Sequence, residues 1–336
     1  MRKILELACI ATLLLAAVAA AGAEAPQYHQ VAKFTLGGEG GWDYVVYDPA
    51  GDRLFISHNK AVMVVAAADG KVLGEIPADG AHGTALVPDK KRGFLTNGRA
   101  GTVTVFDLTT LKPVESIKAG VNPDAIIYDP DSKRVIVMNG RSKDLMVIDP
   151  DSLKVVATIP LGGKLEFAAA EPGHIYVNVE DTGEIVSVDS KTWKLDQRWK
   201  LAGCEEPSGL ALDAHTHHLF SVCGNSKMLV VDTRSGKVVA EVPTGAGTDA
   251  AAFDPDQKLA FSSNGEGTLT VVREAKGGKY EVVENDPTQR GARTMALDPR
   301  SHKIFTVTAE LGPPAEGQRR PSVKPGTFTL LVYAPK

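Results

Sequence analysis

The sequence is short of several things that would direct it towards common folds and activities. Helical periodicity is hard to find beyond the N-terminus, which argues against helical repeat architectures. Aromatic residues make up only 6%. No long basic run occurs and the formal net charge is −4, so the charge balance supports neither a general nucleic-acid role nor an anionic-membrane role. Of the 3 cysteines none forms a Cys-x-x-Cys pair, which removes the usual redox dithiol. Nucleophile elbows, phosphate-binding loops and zinc signatures are absent.

The one long apolar run, Leu7–Ala21, follows Arg2 and Lys3 and ends at Ala21-Gly22-Ala23. A basic start, a short apolar stretch and a small-x-small site read as an export signal over residues 1–23. The run is too short and too rich in alanine for a membrane anchor. Residues 24–336 are then a single domain with no membrane span, placed in the periplasm or secreted. Loss of Arg2, Lys3 and Glu6 takes the net charge from −4 to −5. It also removes Cys9 and leaves Cys204 and Cys223, an even pair that reads as a disulfide in an exported chain.

What the sequence has instead is turn chemistry, with 33 glycines and 20 prolines. Pro123 to Gly162 holds four Val/Ile-rich runs separated by Asp129-Pro130, Asn139-Gly140 and Asp149-Pro150. These are four strands joined by three tight turns. The first turn of that unit recurs at Asp48, Pro88, Asp129, Glu171, Asp213, Asp254 and Asp298, in steps of 40 to 44 residues. Seven units of four strands, named A to D here, match the propeller period. The last unit supplies strands A to C only. Val31–Gly37 aligns with the D strand Val156–Gly162, so the N-terminal strand Tyr28–Leu36 is expected to fill the vacancy and close the ring. The fold expected is all-β: a seven-bladed β-propeller of four-stranded antiparallel blades. Glu310–Gly326 replaces the last B–C turn and reads as a loop, a surface insertion or a lid over the adjacent face.

Phrases such as YDPDSKRVIVMNG and LMVIDPDSLKVVATIPLG resemble the YVTN-type β-propeller repeat, and the chain from Tyr28 to Lys336 looks like the exported YncE-like members of that family. The resemblance implies the fold. The wider superfamily includes substrate-binding propellers, quinone-cofactor dehydrogenase subunits, haem-binding propellers and sugar lactonases, and some relatives are associated with DNA binding.

In such a blade the D–A connections and B–C turns lie at one end, where the A strands line a central channel. The D–A connections carry Asp43, His82, Asp124, Lys164, Glu166, Glu205, Glu206, Asp249 and Arg293. The B–C turns carry His58, Arg141, Glu180 and Asp181. Turns do not need these residue types, so convergence at a channel mouth points to a small-molecule or ion site. The candidate ligand-binding set is His58, His82, Asp124, Arg141, Glu166, Glu180, Glu206, Asp249 and Arg293. His58 and His82, with Asp124 or Glu166, have the ligand types of a divalent metal site; nothing in the sequence requires a cofactor. His215, His217 and His218 fall at the opposite end. The expected function is a monomeric, non-enzymatic binding or scaffold protein holding a small molecule or protein partner at this mouth. The alternative is a small-metabolite enzyme, lactonase-like or a metal- or quinone-assisted oxidoreductase, using the same residues.

Overall fold

A computed structural model describes residues 27–336 except 276, 315, 316 and 318–320. The export signal expected over residues 1–23 lies outside the described residues. Seven four-stranded antiparallel sheets stand around one axis. The A strands nearest the axis are Trp42–Asp48, Ala81–Val87, Pro123–Asp129, Leu165–Glu171, Pro207–Asp213, Thr248–Asp254 and Met295–Asp298. Strands B to D follow outward in sequence order in the first six blades.

The unbroken apolar runs of the B and C strands follow from this stacking. A sheet with neighbours on both faces buries every side chain, so Arg134–Asn139 and Asp144–Asp149 are buried along almost their whole length. Only the outermost D strands face solvent, as in Lys154–Pro160, where Ile159 alone is buried. The buried residues fall into seven apolar clusters, one for each contact between neighbouring blades. No blade therefore has a core of its own, and each depends on both neighbours.

Ring closure occurs as the sequence implies. Tyr28–Thr35 is the outer strand of the last blade and pairs antiparallel with Thr329–Pro335. Tyr28 is 2% exposed, meets Phe261 edge-on at 5.1 Å and donates its hydroxyl to the His302 carbonyl at 3.0 Å. This one side chain from the start of the chain is thereby packed between blades 6 and 7. The expectation of a plain loop at Glu310–Gly326 needs correction: Leu311–Pro314 pairs with Pro321–Val323 as a small two-stranded hairpin. Lys324 Nζ holds Glu310 at 2.7 Å at its base.

Cys204 and Cys223 form a disulfide across Cα atoms 5.3 Å apart. It ties the D–A connection of blade 5, which carries Glu205 and Glu206, to the end of strand His218–Cys223. Tyr28→Ala is expected to cost about 3–5 kcal/mol in urea denaturation, because it empties a closed interface; a loss below about 1 kcal/mol would refute the closing role. Cys204→Ser with Cys223→Ser should lower stability by about 2–4 kcal/mol in the same assay.

Candidate functional site

In the A strands of blades 1 to 6 the first residue pairs with the B strand, and one extra residue follows before the register resumes. The register shifts at Trp42/Val45, Ala81/Thr84, Pro123/Ile126, Leu165/Ala168, Pro207/Leu210 and Thr248/Ala250. A bulge of this kind bends the strand and redirects a side chain. Here it acts on one repeat position, five residues before the strand's last residue: Asp43, His82, Asp124, Glu166, Ser208 and Asp249, with Arg293 equivalent in blade 7. Six of these seven are ionisable, and all seven line a cavity of about 750 Å³.

The ring is held by its own neighbours. Hydroxyl and amide groups on the B strands donate to the carbonyl of the ring residue one blade on. Ser57 reaches the His82 carbonyl, Thr96 that of Asp124 at 2.5 Å, Asn178 that of Ser208 at 2.8 Å and Ser263 that of Arg293. The next position inward is Tyr44, Gly83, Ala125, Phe167, Gly209, Ala250 and Thr294. Only two of these are aromatic, and they stack with centroids 5.7 Å apart, reaching from blades 1 and 4 across the channel. Small residues in the other blades leave room for them. At Gly209 a Cβ would sit 2.5 Å from the Ala251 backbone nitrogen, so only glycine lets the A strands of blades 5 and 6 approach.

Two charge networks occupy the mouth. In the first, His82 Nδ1 lies 2.5 Å from Asp43 Oδ2 and 3.6 Å from Asp124 Oδ1. Arg293 pairs with Asp249, stands 3.8 Å from Asp43 Oδ1 and donates to the Trp42 carbonyl at 3.2 Å. Burial, then the Asp43 charge, pushes Asp124 up to about 6, although His82, Lys164 and the Tyr44 hydroxyl pull the other way. Burial alone would lower His82, but its bond to Asp43 and the Asp124 charge outweigh that and raise it. In the second network Lys164 bridges Glu180 and Glu166, the latter at 2.6 Å. Burial and a hydrogen bond to Glu180 hold the Glu166 carboxyl well above the ordinary range. Burial opposes ionisation of Glu180 too, yet the bonds from Glu166 and Lys164 leave it low. The two carboxyls titrate as a pair around Lys164, with Glu166 the member pushed up and Glu180 the member held down.

Of the residues singled out from sequence, His82, Asp124, Glu166, Glu180, Glu206, Asp249 and Arg293 line this cavity, as do Asp43 and Lys164. His58 and Arg141 do not. His58 ends its B strand, is 7% exposed and stacks on Phe328 at 4.2 Å, so it belongs to the seam between blades 1 and 7 and does not meet His82. Arg141 is an exposed turn residue. At the opposite end, His217 bonds Glu171 at 2.9 Å and His218 bonds the Tyr280 hydroxyl at 2.6 Å. Ser208, Tyr44 and Phe167 were not anticipated. The signal for them was the constant distance to the end of each A strand.

Because the Glu166 carboxyl is raised in the folded state, its contribution to stability is full below the unfolded value of 4.5 and is lost as pH rises. Glu166→Gln should therefore match the wild type below pH 4.5 and become about 1–2 kcal/mol more stable at pH 8. Urea denaturation at both pH values checks this; equal pH dependence in the two proteins would show that Glu166 is ionised.

Similarity to known proteins agrees with this architecture. No curated protein sequence matches. Hydrazine synthase of Kuenenia stuttgartiensis shares the fold, with a TM-score of 0.67 at 19% identity over 82% of this chain and 94% of that one. The model of the cytochrome D1 heme domain matches residues 54–253, more than half of the sequence. By that match the chain, a seven-bladed propeller with an acidic channel mouth, belongs to the cytochrome D1 heme domain family.

Proposed function

We propose that the protein is an extracytoplasmic binding propeller that holds a small polar or cationic ligand in the channel mouth, without turning it over. The observation that carries this reading is the ring: every blade contributes at least one polar side chain to one cavity, at one repeated position. The disulfide supports an oxidising compartment. Among the described residues no helix is long and apolar enough to cross a membrane. The resemblance of the repeats to YVTN-type, YncE-like propellers favours the same assignment.

The family name raises a haem ligand, and the residues present do not fit one. A haem brings its own carboxylates and needs free cations to hold them. This mouth has six carboxyl residues, Asp43, Asp124, Glu166, Glu180, Glu206 and Asp249, against Lys164 and Arg293, and both cations are already paired. Among the described residues, His82 is the only histidine lining the cavity. Its Nδ1 is engaged by Asp43, and its Nε2 side packs against Gly98, where a Cβ would come within 2.5 Å. Nδ1, the nitrogen that faces the mouth, stands between Asp43 and Asp124, two further carboxyl groups where a haem would need cations.

A second reading, hydrolysis of a small metabolite, is favoured by one observation: Glu166 lines the cavity beside Lys164 and Glu180, and burial with the bond to Glu180 raises its carboxyl in the direction a general acid requires.

Native mass spectrometry on protein exported by its own host, purified without chelator or polyhistidine tag, tests the binding reading. The wild type is expected to retain a non-protein mass that Asp249→Asn with Glu206→Gln releases. A wild type of apo mass would overturn it. Titration with haemin is expected to give no saturable change in its visible absorption band; a one-to-one change abolished by His82→Ala would overturn the exclusion of haem.

A further inference from the structure

We propose that Asp43, His82 and Asp124 bind a divalent transition-metal cation at the channel mouth, with His82 Nδ1 as the nitrogen ligand and one carboxylate oxygen from each aspartate. The inference rests on reading the mouth as a ligand site and places a cation on its His82 side.

The three donors occupy the same ring position in three consecutive blades. Each is the second residue of its A strand, and each is redirected by its bulge. One atom from each lies within 4.8 Å of the other two. A metal with bonds near 2.0–2.2 Å holds neighbouring donors roughly 3–3.5 Å apart. The His82–Asp124 separation of 3.6 Å already suits this. The His82–Asp43 pair at 2.5 Å would open by about 1 Å as the cation replaces the shared proton.

The surroundings fix the donor atoms. Gly98 lies against the Nε2 side of the imidazole and leaves only Nδ1 facing the mouth. Arg293 stands by Asp43 Oδ1, so Oδ2 is the oxygen presented to His82. Asn122 contacts Asp124 Oδ2 at 3.5 Å, which leaves Oδ1 on the His82 side. Ser57 and Thr96 pin the main chain of His82 and Asp124. Supporting bonds of this kind hold metal ligands in place.

Charge and chemistry select the cation. A hydrogen bond between one histidine and one aspartate needs a single carboxylate; two half-buried to buried aspartates on one Nδ1 leave negative charge over. The cationic residues nearby offset it only in part: Arg293 stands 3.8 Å from Asp43 Oδ1 but makes its close pair with Asp249, and Lys164 is held by two glutamates. One imidazole with two carboxylates suits zinc, manganese or ferrous iron, while an all-oxygen set would favour calcium or magnesium. The same excess of carboxylates that rejects a haem thus receives a bare cation.

The test uses mature protein stripped with chelator. It is titrated with Zn²⁺ against a chromogenic competitor, and with Co²⁺ followed by visible absorption. One equivalent of each metal is expected. His82→Ala and Asp43→Asn should each weaken Zn²⁺ binding by more than about 100-fold, beyond the loss seen on removing a merely supporting group. His217→Ala and Arg141→Ala should leave it unchanged. Melting temperatures in chelator confirm that the variants fold, and His82→Gln replaces His82→Ala if that variant does not. The proposal is overturned if wild type takes up neither metal, or if uptake survives both substitutions. A wild type that takes up no metal but retains a non-protein mass overturns the cation alone and leaves the binding reading standing.

Discussion

The structure depends on how closely seven strands can approach one axis. An A strand must pair with its own B strand, pack against the A strands on either side and still present something to the channel. Regular pairing over its full length would not turn a polar side chain into the mouth without burying it in the seam between blades. The extra residue in the A strands of blades 1 to 6 resolves this by breaking the register just where the strand reaches the mouth. Backbone groups freed by the break are caught by hydroxyls and amides of the preceding blade. The site is therefore made by contacts between blades, and it exists only in the closed ring.

That coupling explains why closure is so thoroughly fastened. The seven apolar clusters are all shared between neighbours, so one open seam would expose two blade faces. The N-terminal strand completes the last blade, and Tyr28 reaches into the adjoining cluster. Residues brought together by closure also stand next to the mouth: Arg293 of blade 7 contacts Asp43 of blade 1 across the same seam.

The mouth itself is costly in stability. Carboxyls crowded in a half-buried space raise one another and are satisfied by sharing protons and two cations. The aromatic pair Tyr44 and Phe167 closes the channel one residue further in, and the Tyr44 phenol is raised by burial and by four nearby carboxyls. A propeller needs none of this to fold, since plain turns would cap the channel as well. Such a concentration of buried charge at one end is the usual mark of a site kept for binding.

The sequence by itself determined the repeat, the number of blades, the displaced closing strand and the end at which polar residues gather. All of these follow from local signals: short Val/Ile runs, Asp-Pro and Asn-Gly turns, and a period of 40 to 44 residues. Only the tertiary structure decided which polar residues meet. His58 and His82 lie at the same end of the blades, yet His58 ends a B strand and packs into the seam on Phe328, whereas His82 is on an A strand and lines the channel. Tyr44 and Phe167 lie 123 residues apart and touch only because blades 1 and 4 face each other across the axis. Turn and strand propensities are read within a few residues, whereas the side chain that a bulge redirects, and what it meets there, depends on packing between blades.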